Sequence, residues 1–115
     1  MGSLVIILYN ILYIILYNII YKMFIECLVE FLGTMLLIYV ILATGNWAAI
    51  GATLSICILL GGKISGGSYN PAVTIALYTA GKLAENQVLP YIIAEVLGGL
   101  LAYQLYKMYV LKSTN

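Results

Sequence analysis

The sequence predicts an all-α membrane protein, and three observations lead to that fold class. Hydrophobic residues make up 64% of the 115 residues and charged residues only 8%, and the mean hydropathy is +1.09. Apolar runs close to the roughly 20 residues that a crossing helix needs follow one another, with short polar joints between them. Arg, Asp and His are absent and the net charge is +1, which provides no basic surface for nucleic acid. We therefore expect an integral, multi-pass protein whose partner is the lipid bilayer; the host membrane stays open.

Four apolar segments are expected to form helices. They are an N-terminal hydrophobic helix over 1–22 and crossing helices over about 25–44, 47–62 and 89–111. The third segment is short for a crossing helix, but Gly61 and Gly62 at its end can add length. We take residues 23–115 as one unit and the first helix as an extra element before it.

The first segment is rich in Tyr and Asn. The sequence Leu-Tyr-Asn-Ile begins at Leu8 and again at Leu16. Four tyrosines fall four residues apart and so share one helix face: Tyr9, Tyr13, Tyr17 and Tyr21. No Lys or Arg precedes the apolar core and no small-residue cleavage site follows it, so a removable secretory signal is not expected. Three interpretations stay open: an extra crossing helix, an interfacial helix, or a dispensable extension with Met23 as a sensible alternative start.

A capped helix start follows a glycine-rich stretch between the third and fourth segments. Asn70 is a favourable N-cap, and Pro71 suits the first helical position because its missing amide hydrogen would be unpaired there anyway. The helix is expected over 70–80, with Gly81 as its stop, and its length of about 15 Å is half the hydrocarbon thickness. An irregular loop is expected over 61–69, and irregular backbone at membrane depth must be buried in protein or line a watery cavity. The sequence therefore predicts a re-entrant loop and half-helix.

Three motifs lie in order inside the apolar segments. They are Glu30-Phe31-Leu32-Gly33-Thr34, then Ile64-Ser65-Gly66-Gly67 with Asn70-Pro71-Ala72-Val73-Thr74, and finally Ala94-Glu95-Val96-Leu97-Gly98-Gly99. A lone Asn-Pro-Ala is weak, but this order and spacing is specific. From Glu26 to about Tyr109 the chain resembles one half of an aquaporin-type channel of the major intrinsic protein family. The resemblance implies three transmembrane helices plus a re-entrant Asn-Pro-Ala half-helix, and in this family two inverted copies of such a unit meet near the bilayer midplane.

The resemblance implies a passive channel for water or small neutral solutes such as glycerol. The implied pore residues are Asn70 as donor to the passing molecule, Pro71 and Ala72 at the contact between half-helix tips, and Gly66, Gly67, Ser68 and Tyr69 as backbone acceptors. The chain departs from the family at three selectivity positions. Val73 stands where the family's second copy typically has Arg, Ile50 where water-selective relatives tend to have an aromatic residue, and Ser68 where His is frequent. The choice between water and larger solutes therefore stays open.

The single copy of the motif predicts an assembly. An antiparallel homodimer would supply both half-helices, and a further tetramer of dimers stays open. We expect Lys22, Lys63 and Lys82 on one membrane face and Lys107 and Lys112 on the other, a weak bias that suits insertion in both orientations. Two alternatives remain: an obligate subunit that pairs with a separate Arg-containing half, and a non-conducting structural membrane protein.

Two carboxyl groups are expected inside the protein, because a charge near the bilayer centre costs at least ~2.5 kcal/mol. The resemblance implies that Glu30 accepts hydrogen bonds from loop amides, whereas Glu95, where the family often has Gln, has either that role or a dimer contact. Glu26 and Glu85 are expected in the headgroup zone. Without His or a nucleophile next to a base, and with two cysteines that lack metal-site spacing, no catalytic residue, metal site or cofactor is expected.

Overall fold

The computed structural model describes residues 2–114 and contains four α-helices in that range. They are α1 (Gly2–Thr44), α2 (Trp47–Ser65), α3 (Pro71–Thr79) and α4 (Glu85–Tyr106), and α4 continues as a π-helical turn (Lys107–Leu111) and a 3-10 turn (Lys112–Thr114). Three helices are long and apolar enough to cross a bilayer: α1, α2 and α4 with its π-helical turn. No strand occurs between residues 2 and 114. The prediction of an all-α membrane protein is confirmed.

The N-terminal hydrophobic helix exists, but it is the first half of α1 rather than a separate element. α1 is one helix of 43 residues, and at the usual rise it is about 65 Å long, roughly twice the hydrocarbon thickness. The expected break near Lys22 is absent because residues 4–32 contain neither Gly nor Pro to interrupt the helix. The rings of Tyr13 and Tyr21 stack on Tyr17 with centroids 6.4 and 6.3 Å apart, so part of the tyrosine stripe forms along one exposed face.

α4 packs closely along α1, and a glycine makes this possible. A Cβ on Gly98 would lie 2.5 Å from the carbonyl oxygen of Phe31 and 3.3 Å from the amide nitrogen of Met35, so the two backbones touch there. α4 begins at Glu85, four residues earlier than expected. The reason is a local cap: the Gln87 side-chain oxygen accepts a hydrogen bond from the amide of Ala84 at 2.9 Å.

α2 continues to Ser65, and the re-entrant loop is therefore shorter than the sequence predicts. Gly61 and Gly62, where the expected helix over 47–62 and the expected loop over 61–69 overlap, are helical. The helix ends at Gly66, whose φ of 91° is left-handed and whose amide donates to the Gly62 carbonyl oxygen at 2.9 Å. Gly61 is tolerated inside the helix because a tyrosine side chain from the loop packs against it, a contact that offsets its low helix propensity.

Candidate functional site

The half-helix α3 begins with a side-chain cap. The Asn70 side-chain oxygen accepts a hydrogen bond from the amide of Ala72 at 2.8 Å, and Pro71 occupies the first helical position. α3 has nine residues, which at the usual rise is about 14 Å. The Asn70 side chain is exposed, and because its oxygen makes the cap, its amide NH₂ group is left as a donor for a passing molecule.

Glu30 of α1 lies under the loop and holds it. Its side chain is fully buried and accepts three hydrogen bonds: from the Ser65 hydroxyl at 2.8 Å, the Ser68 amide at 3.0 Å and the Tyr69 amide at 2.6 Å. These bonds satisfy loop amides that no helix or strand pairs, and an unpaired buried amide costs about 1–3 kcal/mol. Glu30 thus ties the irregular backbone to the first crossing helix.

Glu95 of α4 holds the start of the half-helix, where its carboxyl group also accepts a hydrogen bond from the Asn70 backbone amide. Its buried carboxyl oxygens lie 2.8 and 3.0 Å from the Thr74 hydroxyl, which donates to them, and Thr74 is fully buried on the first turns of α3. The Glu95 carboxyl also lies beside that of Glu30. Two carboxyl groups from α1 and α4 therefore meet beneath the loop and the start of α3.

Glu26 is buried inside the protein, and its expected place in the headgroup zone stays a prediction. Its carboxyl accepts a hydrogen bond from the Gln87 side-chain nitrogen at 2.8 Å and lies 3.3 Å from the Tyr91 hydroxyl. Tyr91 donates to the Ser65 carbonyl oxygen at 2.7 Å, and Lys22 approaches Glu26 at 3.7 Å. This hydrogen-bond network joins α1, α4 and the C-terminal end of α2, next to the start of the loop.

The sequence carries a signal for this network. Glu26 lies four residues before Glu30, and residues 87, 91 and 95 are also four apart, so each set shares one helix face. A polar side chain on the same face as a buried carboxylate is a candidate for the same interior. Glu85, by contrast, is exposed in the first turn of α4.

The remaining loop residues, Gly66 to Tyr69, differ in how far they are exposed to solvent. Gly66 is exposed, and Gly67 is buried with its amide donating to the Ser65 hydroxyl oxygen at 3.2 Å. Ser68 is buried, and its hydroxyl has no hydrogen-bond partner within the part of the chain that the structure describes. The Tyr69 side chain is 2% exposed and packs between α1 and α2, so it does not lie with the exposed Asn70 side chain.

Two of the three positions expected to set selectivity, Val73 and Ile50, lie apart. Val73 is 40% exposed on the first turn of α3, next to the Asn70 cap. Ile50 is half-buried in the first turn of α2, and fifteen residues of helix, about 22 Å at the usual rise, separate it from Ser65. The structure thus groups Val73 with the loop and places Ile50 toward the other end of α2.

A half-length helix with an exposed Asn cap, held by buried carboxyl groups within helices that can cross a bilayer, defines the class as an integral membrane protein. A family model for the major intrinsic proteins matches residues 44–115. The chain belongs to the major intrinsic protein family. Members of this family are integral membrane transport channels and not enzymes, so the predictions of a multi-pass membrane protein without enzymatic activity are confirmed.

The curated relatives are channel and uptake proteins of greater length. Aquaporin Z of Photorhabdus laumondii is 50% identical over 54 residues, which cover 47% of this chain and 23% of the relative. Glycerol uptake facilitator protein-like 6 of Lactiplantibacillus plantarum is 36% identical over 92 residues, covering 72% and 43%. Propanediol uptake facilitator PduF of Salmonella typhimurium is 38% identical over 99 residues, covering 70% and 38%. The chain thus spans less than half the length of these relatives.

Proposed function

We propose that the chain forms a passive transmembrane channel for water and small neutral solutes, built as an inverted homodimer of half-channels. The observation that carries the proposal is the exposed Asn70 at the N-terminal end of the short helix α3. The loop that leads into this helix is held in place by the buried Glu30. In the pore, Asn70 donates to the passing molecule, and the exposed start of α3 contributes the positive end of its helix dipole. Pro71 and Ala72 contact the partner's tip, and Gly66, Gly67, Ser68 and Tyr69 contribute backbone carbonyl acceptors.

A second half-channel is needed because one half-helix lines only part of the membrane thickness. α3 reaches about 14 Å, whereas the hydrocarbon core is about 30 Å thick. A second copy, inserted the other way round, brings another α3 tip to tip with the first. Inverted repeats with broken helices at mid-depth are a recurring transporter architecture, and two identical chains reproduce it through a two-fold axis in the membrane plane.

The distribution of lysines supports insertion in both orientations. Lys22 and Lys63 line one surface cavity, so they lie at the same end of the bundle. Lys22 and Gln87 line another, which places the turn carrying Lys82 at that end too. Lys107 and Lys112 follow α4 at its other end. A difference of three lysines against two is a weak orientation signal.

The mouth of such a dimer is apolar, which favours solutes larger than water as well as water. The chain contains no Arg, so a homodimer has no Arg constriction, and the exposed Val73 stands beside the Asn70 cap. Ile50 supplies another aliphatic side chain along α2. Relatives that match 70–72% of this chain are named for glycerol and propanediol uptake. The missing Arg also favours the second candidate, an obligate subunit that pairs with a separately encoded, Arg-containing half.

Purified chain reconstituted alone into liposomes is expected to accelerate osmotic shrinkage in sucrose and to admit glycerol. Stopped-flow light scattering measures both rates, with protein-free vesicles of the same lipid as the control. If vesicles containing helical, well-folded protein respond no faster than empty ones, the homomeric channel is excluded. Flux that appears only after an Arg-containing half-channel is added supports the second candidate, and no flux in either case supports a structural role.

The inverted dimer predicts that the C-terminus of the full chain lies on both sides of the membrane in intact cells. Fusion of a compartment-specific reporter after Asn115 measures this directly. Replacing Lys107 and Lys112 by Gln should force one orientation, because all remaining lysines then lie at one end. Replacing Lys63 and Lys82 by Gln should favour the opposite one.

Each of these two double variants is expected to conduct poorly alone and to recover flux when both are coexpressed. The unmodified chain, expressed at the same level, is the control. A single orientation for the unmodified chain, or full flux from one locked variant alone, would contradict the inverted arrangement while leaving a channel of another architecture in place.

A further inference from the structure

Tyr69 has an unusual backbone conformation for a residue with a side chain. Its φ of 55° is left-handed, and every other positive φ between residues 2 and 114 belongs to a glycine. A left-handed backbone is sterically unfavourable for every residue that has a Cβ. Asn and Asp adopt it more readily because their side chains form local hydrogen bonds, which a tyrosine side chain does not. Such a conformation persists only where the surroundings hold it, and it occurs preferentially at functional positions.

The surroundings are a narrow slot between α1 and α2. A Cβ on Gly33 of α1 would overlap the edge of the Tyr69 ring, and a Cβ on Gly61 of α2 would overlap its hydroxyl oxygen. The hydroxyl donates a hydrogen bond to the Cys57 carbonyl oxygen at 2.6 Å. We call this bond the Tyr69 anchor. Two glycines on different helices thus leave space for a complete tyrosine side chain, including its hydroxyl.

The Tyr69 peptide is held from two helices at once. Its amide donates to Glu30 of α1, and its side chain reaches a carbonyl of α2 that lies eight residues before that helix ends. Glu30 holds this part of the loop from α1 only, through the amides of Ser68 and Tyr69. The Tyr69 anchor adds a second attachment, on α2, to a residue whose backbone is left-handed.

We propose that Tyr69 is a positioning residue of the pore: its anchor fixes the direction of the loop carbonyls at 66–68 and of the adjoining Asn70 side chain. The proposal rests on the channel function above and assigns the Tyr69 side chain to the scaffold rather than to the pore wall. A tyrosine is required instead of another large apolar residue because the hydroxyl sets the depth of insertion through a directional bond.

The slot provides a test of the anchor that does not depend on conduction. Gly61→Ala places a methyl group against the Tyr69 hydroxyl and is expected to lower Tm by about 5–15 °C in detergent. Tyr69→Phe removes the hydroxyl and should restore part of that loss in the double variant, because the nearest ring carbon is then 3.4 Å from the new methyl. The Val29 methyl group also lies near Gly61, but it must move equally in both backgrounds.

Two matched glycines serve as controls. Gly33→Ala overlaps ring carbons that phenylalanine retains, so Tyr69→Phe should not rescue it. Gly62→Ala meets only the Ile58 side chain at 3.5 Å, an ordinary contact, and should leave Tm nearly unchanged. Rescue of Gly61→Ala but not of Gly33→Ala supports the anchor. Absence of rescue in both cases overturns it.

Flux through reconstituted Tyr69→Phe tests the positioning role. Loss of one buried hydrogen bond lowers the ratio of ordered to disordered loop by about fivefold, and we expect a measurable fall in water flux per folded protein, at most by about that factor. Stopped-flow rates are normalised to the folded fraction measured by circular dichroism, so a change in stability alone does not alter the result.

The outcomes separate this proposal from the channel itself. If the unmodified chain conducts and Tyr69→Phe conducts equally well per folded protein, the positioning role is overturned and the channel stands. If the unmodified chain is silent under conditions in which it is folded, the channel is overturned, and the positioning role with it. A reduced flux together with the selective rescue supports both.

Discussion

Asn70→Leu is expected to abolish water and glycerol flux through the reconstituted chain while leaving α1, α2 and α4 assembled. Leucine is similar in size but offers no donor to a molecule at the tip of α3, and it places an apolar group where the amide lies exposed. It also removes the cap on the Ala72 amide, which costs about 1 kcal/mol. That cost is small against a stability of about 5–15 kcal/mol, so the protein should remain folded.

Asn46→Leu is the matched control for this variant. Asn46 caps α2 through the same type of bond, accepting from the Ala49 amide at 2.9 Å, but it lies in the turn between α1 and α2, far along the chain from the loop. Asn46→Leu should therefore lower Tm by a similar amount and retain flux. Asn70→Asp, which keeps the cap oxygen but loses the NH₂ donor, should behave like Asn70→Leu in flux. Undiminished flux in Asn70→Leu would remove Asn70 from the proposed pore.

Glu30→Leu is expected to be the most destabilising single substitution in the loop region. It leaves the amides of Ser68 and Tyr69 buried without their acceptor, and the Ser65 hydroxyl keeps only its longer bond to the Gly61 carbonyl oxygen at 3.4 Å. Each such group costs about 1–3 kcal/mol, and because the three share one site their costs do not simply add. We expect a loss of about 3–5 kcal/mol, enough to remove much of the folded population. Thermal unfolding followed by circular dichroism measures the effect.

Two further glutamate variants provide an intermediate case and a control for Glu30→Leu. Glu30→Gln keeps one acceptor oxygen but turns an NH₂ donor toward neighbouring donors, so its Tm should lie between those of the unmodified chain and Glu30→Leu. Glu85→Gln changes an exposed carboxylate in the first turn of α4 and should alter stability by less than about 1 kcal/mol. A Glu30→Leu protein that unfolds at the unmodified Tm would show that the loop does not depend on this carboxylate.

Both ends of α3 were predictable from the sequence because their causes are local. The Asn70 cap, Pro71 at the first helical position and the stop near Gly81 all depend on residues within one turn of the helix end. The end of α2 was less predictable. Gly61 and Gly62 look like a loop in isolation, and only the packing of a distant tyrosine against Gly61 explains why the helix continues through them.

The candidate site likewise has some features that the sequence predicts and others that only the tertiary structure shows. The amino-acid sequence alone determined the membrane class and the short helix that Asn70 caps, because hydropathy and capping act between neighbouring residues. Only the tertiary structure decided which buried polar groups meet: Glu30 binds amides 38 and 39 residues away, and Glu26 lies beside Tyr91, 65 residues away. It also decided that the Tyr69 side chain turns away from Asn70 into a slot between α1 and α2. A buried polar group must be hydrogen-bonded, but which partner satisfies it depends on how the helices pack, and no local pattern encodes that.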